Sequence, residues 1–174
     1  SDILVPIYGD VYENFEDIPF DQFPNNFVLK ATHGCKMNFI CDDKERLDVK
    51  LCETQVRKWL KTKYGAYSCE WHYLKIKPRI YCEKYLSFDR GLVDYKIHCI
   101  NGNPEFILTC SNRKVSNKGE MTVELGLYDV NWNKLDGVCA YKAEVPEKDE
   151  RPRPERLDKM LEIAKILSEE FKFV

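Results

Sequence analysis

The stretch from Val93 to Cys110 limits the fold more than any other part of the sequence. Val93, Tyr95, Ile97 and Cys99 alternate with Asp94, Lys96 and His98, a period of two that suits a strand with one covered face. Asn101-Gly102 follows, a dipeptide that readily adopts the left-handed conformations of a tight hairpin turn, and Glu105 to Cys110 reads as the returning strand. An antiparallel hairpin here argues against a doubly wound parallel sheet, whose strands are joined by helical crossovers. No GxGxxG or GxxxxGK[ST] occurs, so neither a dinucleotide nor a Walker-type phosphate site is indicated.

A second hairpin is predicted from Phe27-Val28-Leu29-Lys30-Ala31-Thr32 and Met37 to Cys41, separated by His33-Gly34-Cys35-Lys36. From Glu53 the spacing turns helical, with Val56, Trp59, Leu60 and Tyr64 on one face and Gly65 as the stop. Glu70 to Tyr73 reads as a loop, Arg79 to Leu86 as a strand after Pro78, and Met121 to Tyr128 as another strand. Residues 144–156 mix charge with proline and predict a solvated connector. Pro154 then suits the first turn of a helix with the stripe Leu157, Met160, Leu161, Ala164, Leu167 and Phe171. Phe173-Val174 reads as the start of a further strand. Residues 1–26 hold no period and predict an extended arm anchored by Phe15, Ile18, Phe20 and Phe23. This order is that of an α+β fold.

Among 174 residues, 27 Lys and Arg against 29 Asp and Glu give a net charge of −2. Such a balance excludes a polycationic nucleic-acid binder, which needs a basic footprint to displace counterions. No run approaches the roughly 18 apolar residues of a membrane span, and no basic region followed by an apolar run opens the chain as a signal peptide would. The eight cysteines lie mostly inside apolar runs, without CxxC or zinc-like spacing, which predicts free core thiols in a reduced, cytoplasmic chain. Trp59, Trp71 and Trp132 read as core or loop anchors.

Few residues stand out chemically. Lys30 lies inside an apolar strand just before a glycine-containing turn; it either faces water or needs an anionic partner such as a phosphate. Asp94 and Lys96 share one strand face, either as an exposed ion pair or as contacts for a ribose and a phosphate. His33 and His98 are acid–base candidates by residue type, since an unperturbed imidazole changes charge near neutral pH, but neither has a nucleophile beside it in sequence, and no nucleophile elbow or metal-ligand spacing occurs.

Taken together, Phe27 to Gly34, Glu70-Trp71-His72-Tyr73 with Ile76-Lys77-Pro78-Arg79-Ile80, Glu83-Lys84-Tyr85-Leu86, Asp94-Tyr95-Lys96 with Asn101-Gly102, and Tyr128-Asp129 with Asn131-Trp132-Asn133 resemble the TupA-like ATP-grasp family of bacterial capsule and teichuronopeptide gene clusters. The resemblance runs in order through residues 4–174. It implies an extended arm (1–26) and two mostly antiparallel α+β lobes, 27–86 and 87–174, gripping ATP; the second lobe is expected to be incomplete, with Mg²⁺ ligands beyond Val174 and little turnover from this chain alone. The implied activity is ATP-dependent joining of a carboxylate to an amine through an acyl phosphate, with a glycan or amino-acid substrate in cell-surface polysaccharide synthesis. By the same resemblance Lys30 contacts the α/β phosphates, Thr32-His33-Gly34 form the phosphate-side loop, and Glu83, Lys84, Tyr85 and Leu86 form the hinge that reads adenine. Asp94 approaches the ribose, and Lys96 and Arg113 face the phosphates or the acyl phosphate. The family's loop commonly continues Gly-Ser-Gly, where this chain has Gly34-Cys35-Lys36. A glycosyltransferase-like capsule protein and a non-catalytic ATP-grasp module that binds a partner are the other readings.

Overall fold

The computed structural model describes residues 3–86, 93–115, 121–135 and 151–174, with side chains for all of these except 112–115, 121 and 122. The chain divides into two units, Ser1–Leu86 and Ser87–Val174. Both are built from an antiparallel sheet and few helices, the α+β architecture that the order of elements predicts.

The first unit is a four-stranded sheet formed by β1 (Ile7–Tyr12), β2 (Phe27–Ala31), β3 (Asn38–Cys41) and β4 (Ile80–Lys84), in the order β1-β4-β2-β3. Alternation along β2 turns Phe27, Leu29 and Ala31 inward, and the register aligns them with Cys41, Phe39, Cys82 and Ile80. Helix α1 (Val49–Lys61) contributes Cys52 and Val56 to this core, and the N-terminal segment adds Ile18 and Phe23. Full burial of a side chain such as Leu29 or Phe27 is worth about 1.5–3 kcal/mol. The opposite face carries Ile7, Val11, Val28, Lys30, Ile40, Tyr81 and Glu83. Ile7 and Ile40 on that face are exposed.

Five sequence expectations change here. Residues 1–26 are not wholly an extended arm, because Ile7–Tyr12 pairs with β4. Its period of two is broken by a bulge between Tyr8 and Val11, where Gly9 takes φ +69°, so no alternation is legible. Helix α1 starts at Val49 rather than Glu53, since the Asp48 carboxylate accepts the Leu51 N–H at 2.9 Å and caps its first turn. The helix ends at Thr62; Gly65 is not its stop but is buried in a second short helix, α2 (Tyr64–Ser68). The stretch read as a loop is a 3₁₀ turn, Trp71–Lys75, and Trp71 is exposed rather than an anchor.

In the second unit β5 (Asp94–Ile100), β6 (Asn103–Val115) and β7 (Met121–Asp129) form a meander. Asn101 and Gly102 turn the first hairpin at φ +49° and +75°, as the dipeptide predicts. Residues 172–174 run beside β5: Cys99 and Val174 exchange backbone hydrogen bonds of 2.7 and 3.0 Å. Helix α3 (Leu157–Ser168) covers the face that bears Cys99, whose thiol reaches the Ala164 carbonyl. Its packed stripe is Leu157, Leu161, Ala164 and Ser168, with Leu157 and Ser168 buried. Leu167 and Phe171 are exposed, since burial of Ser168 rotates Leu167 outward and the helix ends before Phe171.

Cys41, Cys52, Cys82, Cys99 and Cys110 are buried free thiols, Cys35 and Cys69 are exposed, and Cys139 lies outside the described residues, as does most of the 144–156 connector. Burial pushes the Cys52 and Cys82 thiols up to about 12. Among the described residues no helix is long and apolar enough to cross a membrane.

Candidate functional site

The strand that buries Phe27, Leu29 and Ala31 must turn Lys30 to the other face of the first sheet. There Lys30 stands directly across from Tyr81 and forms a salt bridge with Glu83, two residues farther along β4. The side chains are 35% and 15% exposed, so the pair is partly withdrawn from water without being sealed. Burial, and then the Glu83 carboxylate, raise the Tyr81 phenol above its ordinary value. In register beside these polar groups lie Ile7 against Glu83, Val11 against Tyr81, and Ile40 against Val28. The face thus sets a lysine–glutamate ion pair and a tyrosine among apolar side chains.

The loop after β2 is held at nearly every residue. The Thr32 hydroxyl donates to the Lys77 carbonyl at 3.0 Å and accepts from the Arg79 N–H at 3.2 Å, fastening the loop to the start of β4. His33 is buried, and its Nε2 lies 2.9 Å from the Trp59 carbonyl in the last turn of α1; Nδ1 has no partner among the described residues. A methyl group at Gly34 would come within 2.7–3.0 Å of Tyr64 side-chain atoms, so the glycine permits this close packing. The Cys35 thiol lies 3.1 Å from the Tyr73 hydroxyl, and Lys36 takes a left-handed conformation at φ +61°. The hydrogen bond with Cys35, then burial, push the Tyr73 phenol up to about 12. The Thr32 and His33 side chains therefore point into the protein, and what this loop offers an anion is backbone together with Lys36.

In the 83–86 segment, the Lys84 N–H donates to the Pro6 carbonyl at 2.9 Å. Beyond it the sheet ends. Tyr85 is half-buried, Leu86 is exposed, and neither backbone makes a hydrogen bond among the described residues.

In the second unit Asp94 and Lys96 occupy the β5 face opposite Cys99, with Lys96 Nζ 3.2 Å from Asp94 Oδ2. His98, on the same face, stacks on Phe106 at 4.5 Å and 15°. Arg113 belongs to β6, where the register with β7 shifts between Ser111 and Lys114; its side chain lies outside the described residues. Asp129 accepts from the Asn131 and Asn133 N–H groups and from the Asn133 amide at 2.7–2.9 Å. That ring of bonds holds Trp132 at φ +69° with its indole stacked on Tyr128 at 4.1 Å and 4°. The Tyr128–Asn133 motif is thereby explained by loop architecture.

The model of the TupA-like ATPgrasp family matches residues 1–174, the whole chain. The chain belongs to the TupA-like ATP-grasp family. No curated protein and no solved structure gives a match. Membership supports an ATP-binding, ligase-like domain. ATP-grasp proteins are generally Mg²⁺-dependent, yet no group of three or more His, Cys, Asp or Glu side chains among the described residues is arranged to hold a metal ion.

Sequence reading of the ATP-grasp chain passed over Tyr81, although it stands at i−2 from Glu83, the spacing that places both on one strand face. It placed Tyr64 on the stripe of the preceding helix and Tyr73 in a motif, but not the two together; they meet edge to face at 5.3 Å behind the Gly34 loop, with Tyr64 at the start of α2. No local pattern joins them to that loop.

Proposed function

We propose that this chain is the nucleotide-binding portion of an ATP-dependent carboxylate–amine ligase that acts in the cytoplasm on bacterial cell-surface polysaccharide precursors. In such a reaction a carboxylate oxygen attacks the γ-phosphorus of ATP and ADP departs. An amine then attacks the acyl carbon, an amide forms, and phosphate leaves with the carboxylate oxygen. A cation close to the transferring phosphoryl group lowers both barriers by neutralising developing charge.

One observation carries the reading: the Lys30 ammonium lies on an apolar strand face beside Glu83, the first residue of the 83–86 segment. Adenine would lie along that segment, read by the backbone groups of Tyr85 and Leu86, with Tyr85 and Leu86 side chains against its face. Lys30 would hold the α/β phosphates, and the backbone of Thr32-His33-Gly34 with Lys36 would approach the distal ones. Asp94 is assigned to the ribose, and Lys96 and Arg113 to the phosphates and acyl phosphate, with a glycan carboxylate and an amino-acid amine as substrates. Calorimetric titration of the 174-residue chain tests this. ATP should bind and a UDP-sugar should not. Lys30→Ala and Lys96→Ala should each weaken ATP about tenfold, which is about 1.4 kcal/mol. Binding of a UDP-sugar instead of ATP would overturn the assignment.

A further inference from the structure

We propose that Glu83 is a positioning residue whose carboxylate holds the Lys30 ammonium at the place where a nucleotide's phosphates will meet it, rather than a group that reads the base. The inference rests on the nucleotide reading above and assigns a role to the Glu83 side chain that the hinge assignment does not.

The geometry is set by the sheet. Glu83 and Tyr81 lie on one face of β4, and Lys30 stands opposite Tyr81 and diagonal to Glu83 on the neighbouring strand. The two ionic side chains meet across the strand pair, with the carboxylate the more buried of the two. A lysine has four rotatable carbons and rotamer freedom that must be given up when its ammonium is fixed. Pairing with a carboxylate on a rigid strand removes most of that freedom before ligand arrives. The ammonium has three donors, and Glu83 engages the side facing β4, so donors remain for a phosphate without breaking the pair. Val28 and Ile7 flank Glu83 in register and turn apolar atoms toward it, which strengthens the pair's mutual attraction relative to bulk water. Both partners lie within the sheet of the first unit, so the arrangement needs no loop rearrangement to form.

A rival effect has the opposite sign: removing a carboxylate near the phosphates relieves like-charge repulsion and tightens an anionic ligand. The two are separated by titrating ATP, AMP and adenosine into the wild-type chain, Glu83→Gln, Lys30→Met and the double variant, with circular dichroism melts confirming that each is folded. Positioning predicts that Glu83→Gln weakens ATP about fivefold and leaves adenosine within twofold. It further predicts that Glu83→Gln adds no loss in the Lys30→Met background, and that Glu83→Asp recovers part of the affinity. Unchanged or tighter ATP binding by Glu83→Gln overturns the proposal, and so does a loss shared equally by adenosine, which would mark a contact to the base. Absence of ATP binding by the wild-type chain would remove the nucleotide reading itself and this role with it; normal wild-type binding with an indifferent Glu83→Gln removes the positioning role alone.

Discussion

Gly34→Ala offers the sharpest test of how the loop beside Lys30 is built. The added methyl carbon would lie 2.7, 2.8 and 3.0 Å from Cγ, Cβ and Cδ2 of Tyr64, against 3.4–4 Å for an ordinary contact. These atoms are the root of the side chain, so a rotation of the ring alone does not relieve the overlap. The ring is also held from behind by its edge-to-face contact with Tyr73. Overpacking of this kind costs about 1–3 kcal/mol. Alanine recovers about 0.4–1 kcal/mol by restricting the unfolded chain, because Gly34 does not use a left-handed φ. The net expectation is a loss of about 0.5–2 kcal/mol, and at about 4–8 °C per kcal/mol for a unit of this size the melting point falls by several degrees. Calorimetric melts of Gly34→Ala, Tyr64→Ala and the double variant measure it. In the Tyr64→Ala background the methyl should be harmless or mildly stabilising. Equal losses in both backgrounds, or no loss in the wild type, would refute close packing against Tyr64 as the reason for glycine here.

Four other outcomes are expected. Cys35→Ser and Cys69→Ser should each remove one thiol that reacts quickly with a disulfide reagent in the folded chain, whereas Cys52→Ser and Cys82→Ser should remove thiols that react only on unfolding. The hydrogen bonds from Asn133 and Asn131 hold the Asp129 carboxyl below its ordinary 3.8, so its contribution is present above that value and is lost as pH falls through the lowered one. Asp129→Ala should therefore flatten the acid limb of a stability–pH curve and alter Trp132 fluorescence, read against a Trp132→Phe control. Thr32→Val removes the hydroxyl's bonds to the Lys77 carbonyl and the Arg79 N–H just ahead of β4 and should weaken ATP about threefold or more in calorimetry, with Thr32→Ser restoring it. Gly102→Ala at φ +75° should cost about 1 kcal/mol in urea denaturation, since the left-handed region disfavours a Cβ.

Much of the architecture could be read from residue order. The hairpins announced themselves through period-two alternation and Asn101-Gly102, and the order of strands and helices gave the α+β class directly. β1 could not be read, because its bulge at Gly9 interrupts the period and its partner lies some seventy positions away, a distance no local pattern spans. The start of α1 depended on the Asp48 cap, which lies ahead of the first apolar stripe residue. For the site, Lys30 was conspicuous as a lone charge in an apolar run, but its partner was not: Glu83 becomes a neighbour only through the β2–β4 register. His33 was legible as a titratable group and not as a buried strut to α1, because that contact crosses between elements.

The order β1-β4-β2-β3 places the last strand of the first unit in the middle of its sheet. As a ribosome delivers the chain, the β2–β3 hairpin must wait with one side of β2 unsatisfied, and β1 has no partner at all, until β4 emerges and joins them together. Nonlocal closure of this sort slows folding, and strands left waiting with open edges invite pairing with a stranger. The charge of Lys30 on β2 and the glycine within β1 make such early edges poor templates. The same lysine that is assigned to a phosphate in the finished molecule thus also helps keep the nascent one apart from its neighbours.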